Sequence, residues 1–314
     1  MIEPPATATP PREAARQRLD LASPREIMGL AHLELVARGI VEGFLIGLHD
    51  SPKRGFSAEF SENRAYNRGD DLRHLDWKVY ARTDRLFVKQ FEEETNLRAY
   101  ILLDVSRSMG WVSDEESLPT KLEYARLLAA SLSLLLIQQG DAAGLIAFDE
   151  KMRGDIVPRS TRRHWRRLVA ELARLYPAGK TNPGSALKDL ARRLQRRGLV
   201  VLISDLLVTP ERTQKALRYL RHRGHEVILF HIMDPGEREL PAAGEAIFYD
   251  PETDQELNAN SAALRKQYRE AVEGAISTWR KEALRWGADY TLLTTNMPLG
   301  LALRRFLRKR SLLG

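Results

Sequence analysis

The segment ILLDVSRSMG, residues 101–110, decides how this chain is read. Together with the preceding RAY it forms an almost continuous apolar run that stops at Asp104. A strand with one wet face alternates apolar and polar residues. A strand covered on both faces does not, and a short apolar run closed by turn residues predicts such a strand. At its carboxyl end stand one carboxylate, Asp104, and two hydroxyls, Ser106 and Ser108.

The same grammar repeats outward from this segment. AAGLIAFD, LVVLISD, HEVILFHIMD and DYTLLTT predict further buried strands, and MRGDIVP predicts an edge strand ended by Pro158. Helical spacing fills the intervals at residues 120–139, 161–175, 183–197, 210–223, 261–286 and 298–310. Residues 246–250 predict one more strand, followed by a turn at DPETD. Buried strands alternating with helices imply a doubly wound α/β fold with a mainly parallel sheet. Ligands of such sheets bind beyond the carboxyl ends of the strands. Asp104 and Asp205 both end buried strands, which directs the search for a site to that rim.

Upstream the pattern changes. Residues 1–22 are rich in Pro, Ala and Thr and predict a disordered lead-in. Residues 23–97 predict a helix, capped by Ser23 and Pro24, followed by a small charged mixed module. Between Lys53 and Glu94 that module holds nine Lys/Arg and nine Asp/Glu. Residues 98–314 make up the main domain.

Composition narrows the possible functions. With 43% hydrophobic and 29% charged residues, the 314-residue chain can bury a sizeable core. It has no cysteine, which excludes disulfides and Cys-ligated zinc or iron–sulfur sites and fits a reducing cytoplasm. No apolar run is long enough for a membrane span, and the N-terminus lacks a signal-peptide core. The net charge of +7 is uneven: residues 159–223 carry +13 and residues 301–314 carry +5. Such stretches form solvated helix faces or steer an acidic partner, a nucleic acid or an anionic surface. Aromatic residues are sparse there, which argues against stacking on single-stranded nucleic acid.

The constellation at the predicted rim consists of oxygen donors. Asp104, Ser106 and Ser108 follow the first buried strand, Asp205 ends LISD, and Thr181 precedes the helix at 183. Hard oxygen donors suit Mg²⁺, Mn²⁺ or Ca²⁺ rather than zinc. Two carboxylates roughly neutralise such an ion, and the hydroxyls add ligands without charge. Three other chemistries fit less well. AGKT does not make a phosphate loop, because the first glycine of G-x-x-x-x-G-K-T is replaced by Arg174. A D-x-D phosphotransfer site lacks its second carboxylate, since Ser106 stands there. A nucleophilic serine would need a base, and the seven histidines are scattered.

Asp104–Ser106–Ser108, then Thr181, then Asp205 resembles the metal-ion-dependent adhesion site of von Willebrand factor A domains, which reads D-x-S-x-S with a distant Thr and Asp. The resemblance spans roughly residues 98–295. Many members of that family have Gly after the last Asp, where this chain has Leu206. The segment GFSAEFSENRAYNRGDDLRHLDWKVYARTDRLFVKQFEEETN resembles the signature of the bacterial family called domain of unknown function 58. That family joins such a segment to a von Willebrand factor A-like domain. The resemblance implies a divalent cation, typically Mg²⁺, held by the five named residues and completed by a partner's carboxylate. It also implies a non-enzymatic adaptor or chaperone-like role beside a MoxR-type AAA+ ATPase in the cytoplasm. A metal-dependent hydrolase and a basic-patch binder of nucleic acid or anionic surfaces are the competing expectations. Within RGDDLRHLDW, residues 68–77, the residues themselves predict either an ion-pair and turn network or a docking surface.

Overall fold

The computed structural model describes residues 33–49, 63–65, 77–89, 97–194, 197–208, 210–240, 244–250 and 255–310. The lead-in, the cap expected at Ser23 and Pro24, and residues 68–76 lie outside the described residues.

Contacts divide the chain into two compact units, residues 47–96 and all the rest. Within the smaller unit, β1 (Asn63–Ala65) pairs antiparallel with β2 (Phe87–Lys89), and α2 (Trp77–Thr83) lies between them in sequence. Helix α1 (Leu33–His49), which the sequence groups with the charged module, falls as far as Ile46 in the larger unit. Its Ala37 and Val41 are fully buried, and the Arg38 guanidinium sits 5.3 Å from the centre of the Trp165 ring.

The larger unit is built on six strands: β3 (Arg98–Asp104), β4 (Ala142–Phe148), β5 (Met152–Arg159), β6 (Leu199–Ser204), β7 (Glu226–Met233) and β10 (Asp289–Thr294). Their order is β10-β7-β6-β3-β4-β5. All neighbours run parallel except β5, which is antiparallel to β4 at the edge. This edge is the segment ended in the sequence reading by Pro158, where a residue without an N–H is tolerated. The central strand β3 aligns Leu102 with Ile146 on one side and Leu202 on the other. Ile101, Leu102 and Leu103 are at most 1% exposed. Each such side chain contributes about 1.5–3 kcal/mol of burial.

Helices α3 (Lys121–Gln138), α4 (Arg162–Arg174) and α8 (Leu299–Arg310) pack on one face of the sheet. On the other face, α5 (Pro183–Arg193), α6 (Pro210–His222) and α7 (Ser261–Arg285) share a core with β6 and β7, where Leu187, Leu190, Leu217 and Trp279 meet Leu202 and Leu229. The fold is therefore the expected doubly wound α/β arrangement with a mainly parallel sheet. Helix α3 is apolar nearly all round, as befits a helix enclosed by sheet and neighbours. A reciprocal capping box between Thr120 and Glu123 fixes where it starts, contributing about 1 kcal/mol. A ribbon of β8 (Glu245–Asp250) and β9 (Gln255–Asn260) precedes α7. Only its first strand is legible in the sequence. The second, QELNAN, is polar and has no β-branched residue.

Candidate functional site

The connection from β3 leads to β4 on one side, while β6 flanks it on the other, so the strand order reverses at β3. A crevice opens at such a reversal, outside the carboxyl ends of the two strands. Asp104 is the last residue of β3, and Asp205 directly follows the last residue of β6. Both side chains are buried, at 0% and 1% exposure.

The backbone turns sharply after Asp104 because its own carboxylate holds the turn. Asp104 Oδ1 accepts the Ser106 N–H at 2.9 Å, and Oδ2 accepts the Ser204 hydroxyl at 2.6 Å. The hydroxyls of Ser106 and Ser108 lie 3.1 Å apart, and Ser108 donates to Asp205. Four of the five residues expected from the sequence thus form one hydrogen-bonded cluster. Thr181 reaches the rim by another route. The Ala178 N–H donates to the Val105 carbonyl at 2.7 Å, and the Arg107 N–H donates to Gly179 at 3.1 Å. These bonds stitch the loop before α5 to the loop after β3. Asn182 then caps α5 through the Ser185 N–H, with Pro183 in the first turn, so Thr181 lies between the stitched segment and the cap. It is 6% exposed. Gly179 is required in this loop: its φ is +68°, and a Cβ there would come within 2.6 Å of Asp149 Oδ2.

Leu206, which stands where many von Willebrand factor A domains have Gly, has a φ of +51°. The left-handed backbone costs a residue with a Cβ about 1–2 kcal/mol. The buried Leu206 side chain, 4% exposed and packed in the core beside Leu202, offsets that cost. Its N–H donates to the Ser204 hydroxyl at 3.0 Å, which keeps the Asp205 loop in shape without glycine.

The two aspartates differ in charge environment. Burial, followed by the nearby charge of Asp205, pushes the Asp104 carboxyl up to about 7. Burial would raise Asp205 as well, but the Lys121 ammonium and hydrogen bonds from Lys121 and Ser108 outweigh it and hold Asp205 below the usual carboxylate range. Lys121 is fully buried, and its Nζ donates to Asp205 Oδ2 at 2.8 Å and to Glu237 Oε1. The Glu237 carboxylate in turn accepts the Asp234 N–H at 2.9 Å, and Asp234 accepts the Ser113 N–H at 3.1 Å and the Ser113 hydroxyl. Nothing in TKLEYAR singles out Lys121. The available signal is its position at the start of a helix, where the dipole disfavours a cation. Two carboxylates from distant loops overcome that preference.

His231, on β7, is also tied to the site. Its ring donates to the Asp205 backbone carbonyl, and Nδ1 lies 2.7 Å from the Tyr290 hydroxyl. Burial pushes it down to about 4, so it is neutral near neutral pH.

The donor set fits a hard divalent cation. Among the described residues, no Lys or Arg nitrogen lies within ion-pair distance of Asp104, while Lys121 serves Asp205 and Glu237. A buried carboxylate beside a second one is stabilised by an added positive charge or by a proton. The adjacent hydroxyls of Ser106 and Ser108 offer neutral oxygen, as such ions favour.

Uncharacterized proteins of Mycobacterium tuberculosis and Mycobacterium bovis are 30% identical to this chain over 252 residues, 79% of it and 77% of theirs. Among solved structures, an aerotolerance-related membrane protein from Bacteroides fragilis aligns over 68% of this chain and 99% of its own, at 17% identity and a TM-score of 0.47. BatB from Bacteroides thetaiotaomicron aligns over 68% and 98% respectively, at 16% identity and a TM-score of 0.46. The SpRpn10 VWA domain aligns over 66% and 93%, at 11% identity and a TM-score of 0.38. The family described as Protein of unknown function DUF58 matches residues 62–276, spanning part of the charged module and most of the sheet with its crevice, and the chain belongs to that family.

Proposed function

We propose that this protein is a non-enzymatic interaction module that grips a partner protein through a divalent cation, Mg²⁺ or a similar ion, at Asp104, Ser106, Ser108, Thr181 and Asp205. The observation that carries this is Asp104: fully buried, next to Asp205, flanked by hydroxyls, and without a cationic side chain of its own among the described residues. A bound ion would supply a positive, ligand-exchangeable vertex for a carboxylate of the partner. Asp104 would hold it directly, while Ser106, Ser108 and Thr181 offer neutral oxygens. His231 is buried with its Nδ1 held by the Tyr290 hydroxyl, which supports a binding rather than a catalytic role.

By family resemblance the partner is a MoxR-type AAA+ ATPase, in the cytoplasm. No helix among the described residues is long and apolar enough to cross a membrane. Exposed arginines along α4, among them Arg163, Arg167 and Arg174, would steer an acidic partner surface.

The test is binding of a purified MoxR-type ATPase to the wild type and to Asp104→Ala, with Mg²⁺ or with EDTA. Loss of affinity by about tenfold or more in Asp104→Ala and in EDTA, with an unchanged circular dichroism spectrum, is the expected result. Binding indifferent to both changes overturns the proposal. Binding that ignores EDTA but falls steeply with salt assigns the interaction to the basic helices instead. Mg²⁺-dependent hydrolysis of a phosphoester or peptide that Asp104→Ala abolishes overturns the non-enzymatic role.

A further inference from the structure

We infer that Lys121 is the charge-setting residue of this site: its buried ammonium withholds Asp205 from direct contact with an incoming cation and leaves Asp104 as the first carboxylate that ion meets. The inference rests on the cation reading above and adds to it a specificity device drawn from outside the expected five residues. The geometry is one-sided. Lys121 Nζ takes Asp205 Oδ2 at 2.8 Å, and the Leu207 N–H approaches Oδ1 at 3.4 Å. Among the described residues the donors to Asp104 are neutral: the Ser106 N–H and hydroxyl and the Ser204 hydroxyl.

Three carboxylates belong to this cluster: Asp205 and Glu237 hold the one ammonium, and Asp104 stands beside Asp205. Among the described residues, Asp149 is engaged with Arg153 and Asp234 with Ser113. With all three carboxylates ionised, the cluster needs two further positive charges for neutrality. A divalent ion meets that need. Without Lys121 the cluster would be more negative and would expose a second aspartate, and both changes favour tighter binding of any hard cation. Lys121 therefore weakens the site and matches it to a divalent charge. Glu237 acts through Lys121: while it shares the ammonium, Asp205 is only partly neutralised.

The test is calorimetric titration of the full chain with Mg²⁺ alone and with Mn²⁺ alone, together with thermal melting in the ion and in EDTA. Lys121→Met is expected to bind about tenfold tighter than the wild type or better, and to melt well below it in EDTA but recover in the ion. Glu237→Gln, which keeps the ammonium and concentrates it on Asp205, is expected to bind about threefold weaker or worse. A merely structural lysine would leave both affinities unmoved, and a folded Lys121→Met that binds no tighter overturns the inference. If Lys121→Met does not fold even with the ion, Glu237→Gln decides: unchanged affinity overturns, weaker affinity supports. The two proposals fail in separable ways. Wild-type binding that Asp104→Ala abolishes, with Lys121→Met no tighter, sinks only the role of Lys121. A wild type that binds no ion, beside a Lys121→Met that does, sinks only the wild-type cation site. Absence of binding in both sinks both.

Discussion

The two rims of the parallel sheet are built from the same strands and use their polar groups differently. At the amino rim, neighbouring strands are joined through the backbone. The Ala142 N–H donates to the Leu97 carbonyl at 2.9 Å, and the Glu226 N–H donates to Gly198 at 3.0 Å. Asp141, fully buried there, accepts the Leu97 N–H at 3.3 Å. At the carboxyl rim, side-chain oxygens face one another: Asp104 meets Ser204, Ser106 meets Ser108, and Asp205 and Glu237 share one ammonium. At one rim the polar contacts run mainly through the backbone that connects the strands. The other concentrates like charges that ordinary folding would keep apart. The difference separates what holds this fold together from the cluster on which the proposed binding role rests.

The contrast breaks first at Lys121. In EDTA at pH 8, Lys121→Met leaves Asp205 and Glu237 buried without their cation and is expected to lose about 3–5 kcal/mol of stability in urea unfolding. A loss no larger than that of an ordinary surface lysine would mean that the carboxyl rim carries no special charge burden.

Proton linkage at the same rim comes next. Asp104 titrates near 7 in the fold against an ordinary 3.8, so between these values the folded chain holds a proton that the unfolded chain has released. Stability from this group falls as pH rises through that window. His231 titrates near 4 against 6.5, so here the unfolded chain holds the extra proton, and stability rises with pH. Each contribution spans about 3–4 kcal/mol, and between pH 4 and 6.5 they oppose each other. In EDTA, Asp104→Asn is expected to uncover the rise and His231→Asn the fall. Two variants with the same slope as the wild type would remove Asp104 and His231 from the linkage.

The amino rim is expected to respond in stability alone. A Cβ on Gly198 would meet the Arg98 carbonyl oxygen at 2.4 Å, so Gly198→Ala should cost about 2–3 kcal/mol. Its calorimetric isotherm for Mg²⁺ should match that of the wild type. A change in ion affinity would show that the two rims are mechanically coupled. The smallest effect belongs to Leu206→Gly. Relief of the left-handed backbone returns about 1 kcal/mol against the burial that is lost. The net loss should be about 1–2 kcal/mol, below that of a typical buried leucine truncation.

The sheet was legible because its central strands are covered on both faces and so read as unbroken apolar runs. RAYILLD and LVVLIS needed no partner to be recognised, and their last residues pointed to the rim. Asp104, Ser106 and Ser108 were legible because a loop that follows a buried strand is short and local. Lys121 was not. It is separated by 84 residues from Asp205 and by 116 from Glu237, and a lysine after a helix cap reads as a solvated charge. The role of His231 was hidden for a similar reason, since its partners are a backbone carbonyl and a tyrosine 59 residues away. The second strand of the β8–β9 ribbon escaped because a mostly exposed polar strand has no apolar periodicity to betray it.

A positive charge carried on a side chain cannot be stripped away by a competing chelator or diluted out of reach. With the Lys121 ammonium lodged between two loops, the chain brings part of its own counter-charge to the crevice from synthesis onward. Those two loops can take their final shape in an ion-poor setting, with their acids already answered by a charge the chain carries itself.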